Sequence, residues 1–248
     1  SRTMVLLGRG NLRSLVVIAT IGITAQMTLK GLIAPLRIAL VNGSQTTFGT
    51  LSFPAVLAHS GLAPALAASV AALIVAAAFL VYAFSHASFR NAALLIASGI
   101  AMGLLVPAGW FVTGFLGNDP FTPVPVASLT FIAPLADSLQ YVMLSTGSTV
   151  NFGIVVMGGV LLGSFITAVV TRRFELEGYK SHNHMLRSIG GAAMMGAGGV
   201  MAFGCSIGQG LTGLSTLALP SAIAVAGILI GATVGLRSPV RVPALASA

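Results

Sequence analysis

Long apolar runs, separated by short polar or glycine- and proline-rich breaks, dominate this chain of 248 residues. A membrane-crossing helix needs about 20 mostly apolar residues. Residues 14–36 meet that length between Arg13 and Arg37, interrupted by Gln26 and Lys30. Residues 63–84 form an unbroken Ala/Val/Leu run, and 91–114 return after a turn marked by His86 and Arg90. Residues 150–171 and 218–236 complete the clear spans, the last followed by Arg237 and Arg241. Residues 42–61, rich in Ser, Thr and Gly, read as a polar loop. Residues 117–126 contain Pro120, Pro123 and Pro125, which no helix interior tolerates, so they read as a loop.

Two stretches fit no simple span. Residues 128–147 are apolar but carry Pro134, Asp137, Ser138 and Gln140, and predict a re-entrant or interfacial segment. Residues 188–204 predict a Gly/Ala-rich helix ending at Cys205, and 206–217 a Gly/Ser/Thr-rich connector to the last span. Between the spans, Arg172, Arg173, Lys180 and Arg187 make one strongly basic loop, which the positive-inside bias places in the cytoplasm. Alternation then puts the 85–90 turn on the same side. Residues 188–217 either cross as one broken element or dip and return as a hairpin, and the charge at Arg237 favours the crossing.

Composition narrows the class further. The chain is 56% hydrophobic and 6% charged, whereas a soluble domain carries about 25% charged residues. Its mean hydropathy is +1.00. The expected fold is all-α: a polytopic helical membrane protein in the lipid bilayer, one domain over 1–248, with about six membrane-spanning elements. The net charge of +8 lies mostly at the ends of apolar runs, which marks membrane anchoring rather than nucleic-acid binding. Small residues recur at Gly99/Gly103, Gly159/Gly163 and Gly227/Gly231/Gly235, a spacing that lets helix backbones approach closely in lipid. Asn11–Leu15 and Gly213–Leu217 loosely resemble each other at the starts of the first and last spans, a weak echo of the repeated halves found in many transporters.

Little conventional chemistry is offered. No metal-ligand cluster, Ser/His/Asp arrangement or phosphate loop can be composed, and no cofactor is implied. His182 and His184 stand two apart on the basic loop and do not share a helix face. His59 and His86 are isolated, Glu175 and Glu177 read as solvated, and Asp119 as a turn cap. Asp137 either serves function as an intramembrane carboxylate or caps a short helix after Pro134. Gln26 suits either a pore lining or a bond between helices, the second being favoured.

The densest signal is residues 198–214, where the single cysteine, Cys205, stands among glycines 198, 199, 204, 208, 210 and 213. Irregular backbone at membrane depth leaves amides and carbonyls without water. It is tolerated only where protein buries it or where it lines a wet cavity. Gly204, Gly208 and Gly210 permit positive φ, successive amides in such turns form anion nests, and a following helix adds a positive dipole end. A polarizable thiol there suits a sulphur-rich anion. The bland alternative is a small buried apolar residue.

Residues 198–215, Gly-Gly-Val-Met-Ala-Phe-Gly-Cys-Ser-Ile-Gly-Gln-Gly-Leu-Thr-Gly-Leu-Ser, resemble the second cysteine-loop signature of the YeeE/YedE sulphur-transport family, with cysteine and glycines in register. Ser1–Thr3 and Gly8–Leu15 resemble the stretch directly after that family's first cysteine loop. The resemblance implies an hourglass-shaped protein of the bacterial inner membrane, with broken helices and Gly-rich cysteine loops meeting at a central constriction. It implies a transporter rather than an enzyme, importing thiosulfate from cysteine to cysteine, and a cytosolic TusA-type sulfurtransferase as receiver. It also implies that this chain is the C-terminal part of a longer transporter. By the same resemblance Cys205 is the relay site, with Gly204, Ser206, Gly208, Gln209 and Gly210 shaping the loop and supplying donors. A thiolate attacking a dianion brings like charges together where screening is weak, so hydrogen bonding by a neutral S–H is favoured. A persulfide-forming sulfurtransferase, a carrier of selenium or another sulphur oxyanion, and a packing subunit without substrate remain as alternatives.

Overall fold

The computed structural model describes residues 2–43, 52–58, 63–117, 125–179 and 181–237. His59, Asp119, Lys180 and Arg241 lie outside the described residues. The helices run in the order α1 (Arg2–Gly8), α2 (Leu12–Leu29), α3 (Ala34–Gly43), α4 (Phe53–Ala58), α5 (Pro64–Ser85) and α6 (Ala87–Arg90). They continue as α7 (Ala93–Phe111), α8 (Ile132–Met143), α9 (Phe152–Val170), α10 (His182–Met201) and α11 (Leu219–Arg237). Five helical stretches, 12–29, 65–85, 93–116, 152–170 and 219–237, are long and apolar enough to cross a membrane among the described residues. A further long helix, α10, has 20 residues, with His182, His184 and Arg187 in its first turns. The protein is a polytopic all-α membrane protein.

Local chemistry sets the ends of these helices. Asn11 caps α2 by accepting from the Ser14 amide, and Asn151 caps α9 by accepting from the Ile154 amide, so each side chain supplies an acceptor that the first turn lacks. Pro64 opens α5, where its missing N–H costs nothing. At the end of α9, Arg172 takes φ 51°. The Arg173 amide reaches back to the Ala168 carbonyl and the Arg172 amide to Val169, a left-handed cap that satisfies the terminal carbonyls.

Several expectations are corrected. The run 14–36 is not one helix. It breaks over 30–33, where the Lys30 amide still bonds back to Gln26 and Met27. Gly31 there lies so close to Met27 that an added Cβ would sit 2.8 Å from its Cα, and Pro35 follows in the first turn of α3. The polar stretch 42–61 contains the helix α4, and the Ser52–Ala218 bridge ties it to the start of α11. The segment 182–187 is helical rather than loop. Helix α8 has 12 residues, about 18 Å at ~1.5 Å per residue, too short to cross a hydrocarbon core of about 30 Å. The Gly99, Gly103, Gly159, Gly163, Gly227, Gly231 and Gly235 positions have nothing within 4 Å of an added Cβ, so among the described residues these stripes make no close helix contact.

Other glycines make the close contacts. Gly196 of α10 lies against Thr24 and Ile21 of α2, Gly22 of α2 lies under Leu135 and Leu139 of α8, and Gly199 meets Ile132. Each lets one helix backbone approach another. The resulting core has Ile21, Phe131, Leu135 and Met157 on one side and Ala25, Ile132, Ala136 and Val200 on the other. α2 and α10 therefore run side by side in the same direction. Their shared starting end is clasped by the 173–179 segment. Glu177 is not simply solvated: it accepts from Asn11 Nδ2 at 2.9 Å and pairs with Arg13 at 3.5 Å. Arg13 Nε also donates to the Gly178 carbonyl at 2.7 Å. Helices α5, α7, α9 and α11 turn large apolar faces outward, as a hydrocarbon solvent requires.

Candidate functional site

Cys205 stands in non-helical backbone between α10 and the next helical stretch. α10 ends as α9 does. The Phe203 amide bonds to the Val200 carbonyl at 3.1 Å, and the Gly204 amide to Gly199 at 2.8 Å. The left-handed residue of this cap is Phe203, with φ 56°, at a position that glycine usually fills. Phe203 is 71% exposed, so packing among the described residues does not offset the backbone strain. None of Gly204, Gly208 and Gly210 adopts the left-handed conformation; among the described residues the glycine that does is Gly10. The expectation of a nest built on positive-φ glycines at these positions is therefore overturned.

The glycines serve space instead. An added Cβ on Gly208 would lie 2.9 Å from Thr130 Oγ1, and one on Gly204 would lie 3.2 Å from Gln209 Cγ. Gly210 is looser, at 3.8 Å from Val225. The connector expected over 206–217 is largely helical, and Gly208–Gly213 form a π-helical turn, a wide form often found at functional sites. Glycine, without side-chain crowding, allows this coil to lie against the non-helical, mostly buried segment 127–131. There Thr212 Oγ1 donates to the Leu129 carbonyl at 2.7 Å. A second π-helical turn, Val112–Leu116, flanks the same segment, and Thr113 Oγ1 bonds to Ala127.

Within this frame the thiol acts as a helix cap. The Gly208 amide donates to Cys205 Sγ at 3.4 Å, and the Gln209 amide to the Cys205 carbonyl at 2.8 Å. Gln209 Nε2 reaches back to the Ala202 carbonyl at 2.7 Å, fastening the far side of the break. Ser206 and Ile207 open the helical stretch, so their amides have no acceptor one turn back within it. Cys205 is half-buried and packs against both core clusters. It also borders a cavity of about 790 Å³ with Ser206, Ile207, Phe131, Met194 and Met195. The residues lining this cavity are uncharged.

Of the six residues expected from the sequence, Gly204, Cys205 and Ser206 line the cavity. Gly208 and Gln209 hold the loop from behind, and Gly210 takes no part in the described contacts of the thiol. Sequence reasoning missed Thr130, Leu129 and Phe203. The first two meet the loop from about 80 residues away in sequence, beyond the reach of any local pattern. Gln26 bonds across helices, donating to Gln140 Oε1 at 2.9 Å, as favoured from sequence. Asp137 does not cap α8. It lies inside that helix and accepts from Asn151 Nδ2 at 3.0 Å.

The sequence pattern of the Sulphur transport family matches residues 1–234. The chain belongs to this family. The thiosulfate transporter TsuA of Escherichia coli (strain K12) is 27% identical over 127 residues, 51% of this chain and 34% of that protein. The thiosulfate transporter TsuA of Spirochaeta thermophila (strain ATCC 700085 / DSM 6578 / Z-1203) is 32% identical over 119 residues, 43% of this chain and 36% of that protein. The matched part of this chain thus spans about a third of the length of these curated relatives.

Proposed function

We propose that the protein imports an inorganic sulphur anion, thiosulfate, across the bacterial inner membrane. Cys205 is the relay site on the path, and a cytosolic TusA-type sulfurtransferase receives the cargo. Family membership and the names of both relatives support a sulphur-anion carrier rather than an enzyme. The observation that carries the mechanism is the Gly208 amide on Cys205 Sγ. That contact occupies a sulphur lone pair and leaves the S–H free to donate toward the cavity. Beside it stand Ser206 and Ile207, whose amides open the helical stretch, and first-turn amides favour anions. A neutral donor set holds an anion without meeting it with a second negative charge, and weakly enough to pass it on. Covalent capture would place a thiolate beside the anion in a cavity whose lining residues carry no countercharge, which disfavours it.

The test is growth on thiosulfate as sole sulphur source, in a strain lacking other uptake routes, with the intact protein supplied. Cys205→Ala abolishes growth, and Cys205→Ser retains less than wild type because a hydroxyl is smaller and less polarizable. Mass spectrometry of protein taken during turnover shows no added sulphur on Cys205. Accumulation of that added sulphur selects the persulfide chemistry, and wild-type growth by Cys205→Ala removes the relay altogether.

A further inference from the structure

Away from Cys205, five polar side chains converge where α2 breaks. Lys30 Nζ donates to Gln140 Oε1 at 3.0 Å and stands 4.0 Å from Asp137 Oδ1. Gln140 Oε1 also receives Gln26 Nε2. Asp137 Oδ2 is held from the other side by Asn151 Nδ2. Asn151 is itself fixed as the cap of α9. The carboxylate therefore keeps its place without Lys30, and at 4.0 Å it is beyond hydrogen-bond length from the ammonium. An ammonium has three donors, and the Lys30 side chain is 59% exposed, so donors remain for a ligand from outside. Two polar atoms near this end of α2 are buried without a hydrogen-bond partner: Gln26 Oε1 and, on α3, Arg37 Nε.

We infer that Lys30 is a second anion station, besides the thiol, with Asp137 as the competitor that makes its grip reversible. The inference rests on the sulphur-anion reading above. Three observations point to it. The cavity beside Cys205 has no charged lining residue, so an anion moving toward it needs its countercharge elsewhere. Gln26 and Asp137 directly follow Ala25 and Ala136, which belong to the apolar cluster that Cys205 packs against, so the cluster adjoins the thiol's surroundings. Lys30 also lies at the end of α2 opposite the Arg13–Glu177 clasp. An arriving anion takes the ammonium donors in place of the loosely paired carboxylate. When it moves on, the waiting carboxylate recovers the ammonium. A site that must release its ion gains from such a built-in rival.

The test is concentration-dependent thiosulfate uptake by the intact protein in lipid vesicles. Lys30→Gln raises KM about tenfold, the loss of one charge-assisted contact, and Lys30→Arg stays within about threefold of the unaltered protein because it keeps the charge. Asp137→Asn lowers KM several-fold, because it removes the rival. The double variant Lys30→Gln with Asp137→Asn has the KM of Lys30→Gln, since Asp137 acts through Lys30. A merely structural ion pair gives no such opposition of sign. The unaltered protein supplies a reading independent of variant folding: saturating thiosulfate protects Lys30 from acetylation by acetic anhydride, followed by mass spectrometry. Same-direction KM changes in the two single variants, no change in either, or an unprotected Lys30 overturns the station and leaves the Cys205 reading standing. Absence of thiosulfate uptake by the unaltered protein overturns both.

Discussion

At the scale of single residues, the cysteine break is held by one strained residue and one crowded glycine. Phe203 takes the left-handed conformation of the α10 cap with its ring exposed. Phe203→Gly therefore stabilises the protein, by up to about 1 kcal/mol, and a β-branched Phe203→Val destabilises it. Thermal unfolding of the detergent-solubilised intact protein reads both. Gly208 answers to space rather than φ. With an added Cβ only 2.9 Å from Thr130 Oγ1, Gly208→Val overpacks the loop at a cost of about 1–3 kcal/mol. Gly210→Ala, whose Cβ finds Val225 at 3.8 Å, is tolerated in the same assay. Equal losses at the two glycines contradict this account. The cysteine among glycines was legible in the sequence because composition alone exposes it. The reason for the glycines was not: Gly208 is crowded by Thr130, which only the folded chain brings near, and Gly204 by Gln209, whose side chain reaches it only through the turn of the loop.

At the scale of elements, apolar periodicity located the long helices within a few residues, since lipid-facing helices need apolar side chains on most positions. It failed where backbone geometry overrides composition. Residues 30–33 continue an apolar run yet end α2, and 206–215 look like a loop yet coil. Glycine stripes misled for a related reason: their spacing marks backbone without bulk, not what approaches it. The contacts fall instead at Gly22, Gly196 and Gly199. Gly196→Leu should therefore separate α2 from α10, because its side chain meets Thr24 and the Ile21 carbonyl. The expected outcome is a loss of several kcal/mol, or failure to accumulate folded protein, from overpacking against backbone. At Gly163, on the open face of α9, an added Cβ meets nothing within 4 Å among the described residues, so Gly163→Leu is expected to be tolerated. A folded yield as low as that of Gly196→Leu would show that face to be packed in the intact protein.

At the scale of the whole molecule, the parallel run of α2 and α10 from one clasped end organises the rest. α2 has 18 residues, about 27 Å at ~1.5 Å per residue, close to the ~30 Å of a bilayer core. The Arg13–Glu177 end and the Lys30 end therefore open to opposite sides. The basic segment around Arg172 and Arg173 belongs to the first, which the charge bias assigns to the cytoplasm. In intact cells, Arg173→Cys resists a membrane-impermeant thiol reagent, and Lys30→Cys reacts, both in a Cys205→Ser background. Reversed labelling inverts the topology. The central claim is that Cys205 passes thiosulfate on without covalent capture. The most direct measurement is uptake of labelled thiosulfate by the intact protein in sealed lipid vesicles, followed together with the mass of the Cys205 peptide. The account predicts saturable uptake, its loss in Cys205→Ala, and no sulphur added to Cys205 at any time during turnover; uptake by Cys205→Ala at the wild-type rate would contradict it.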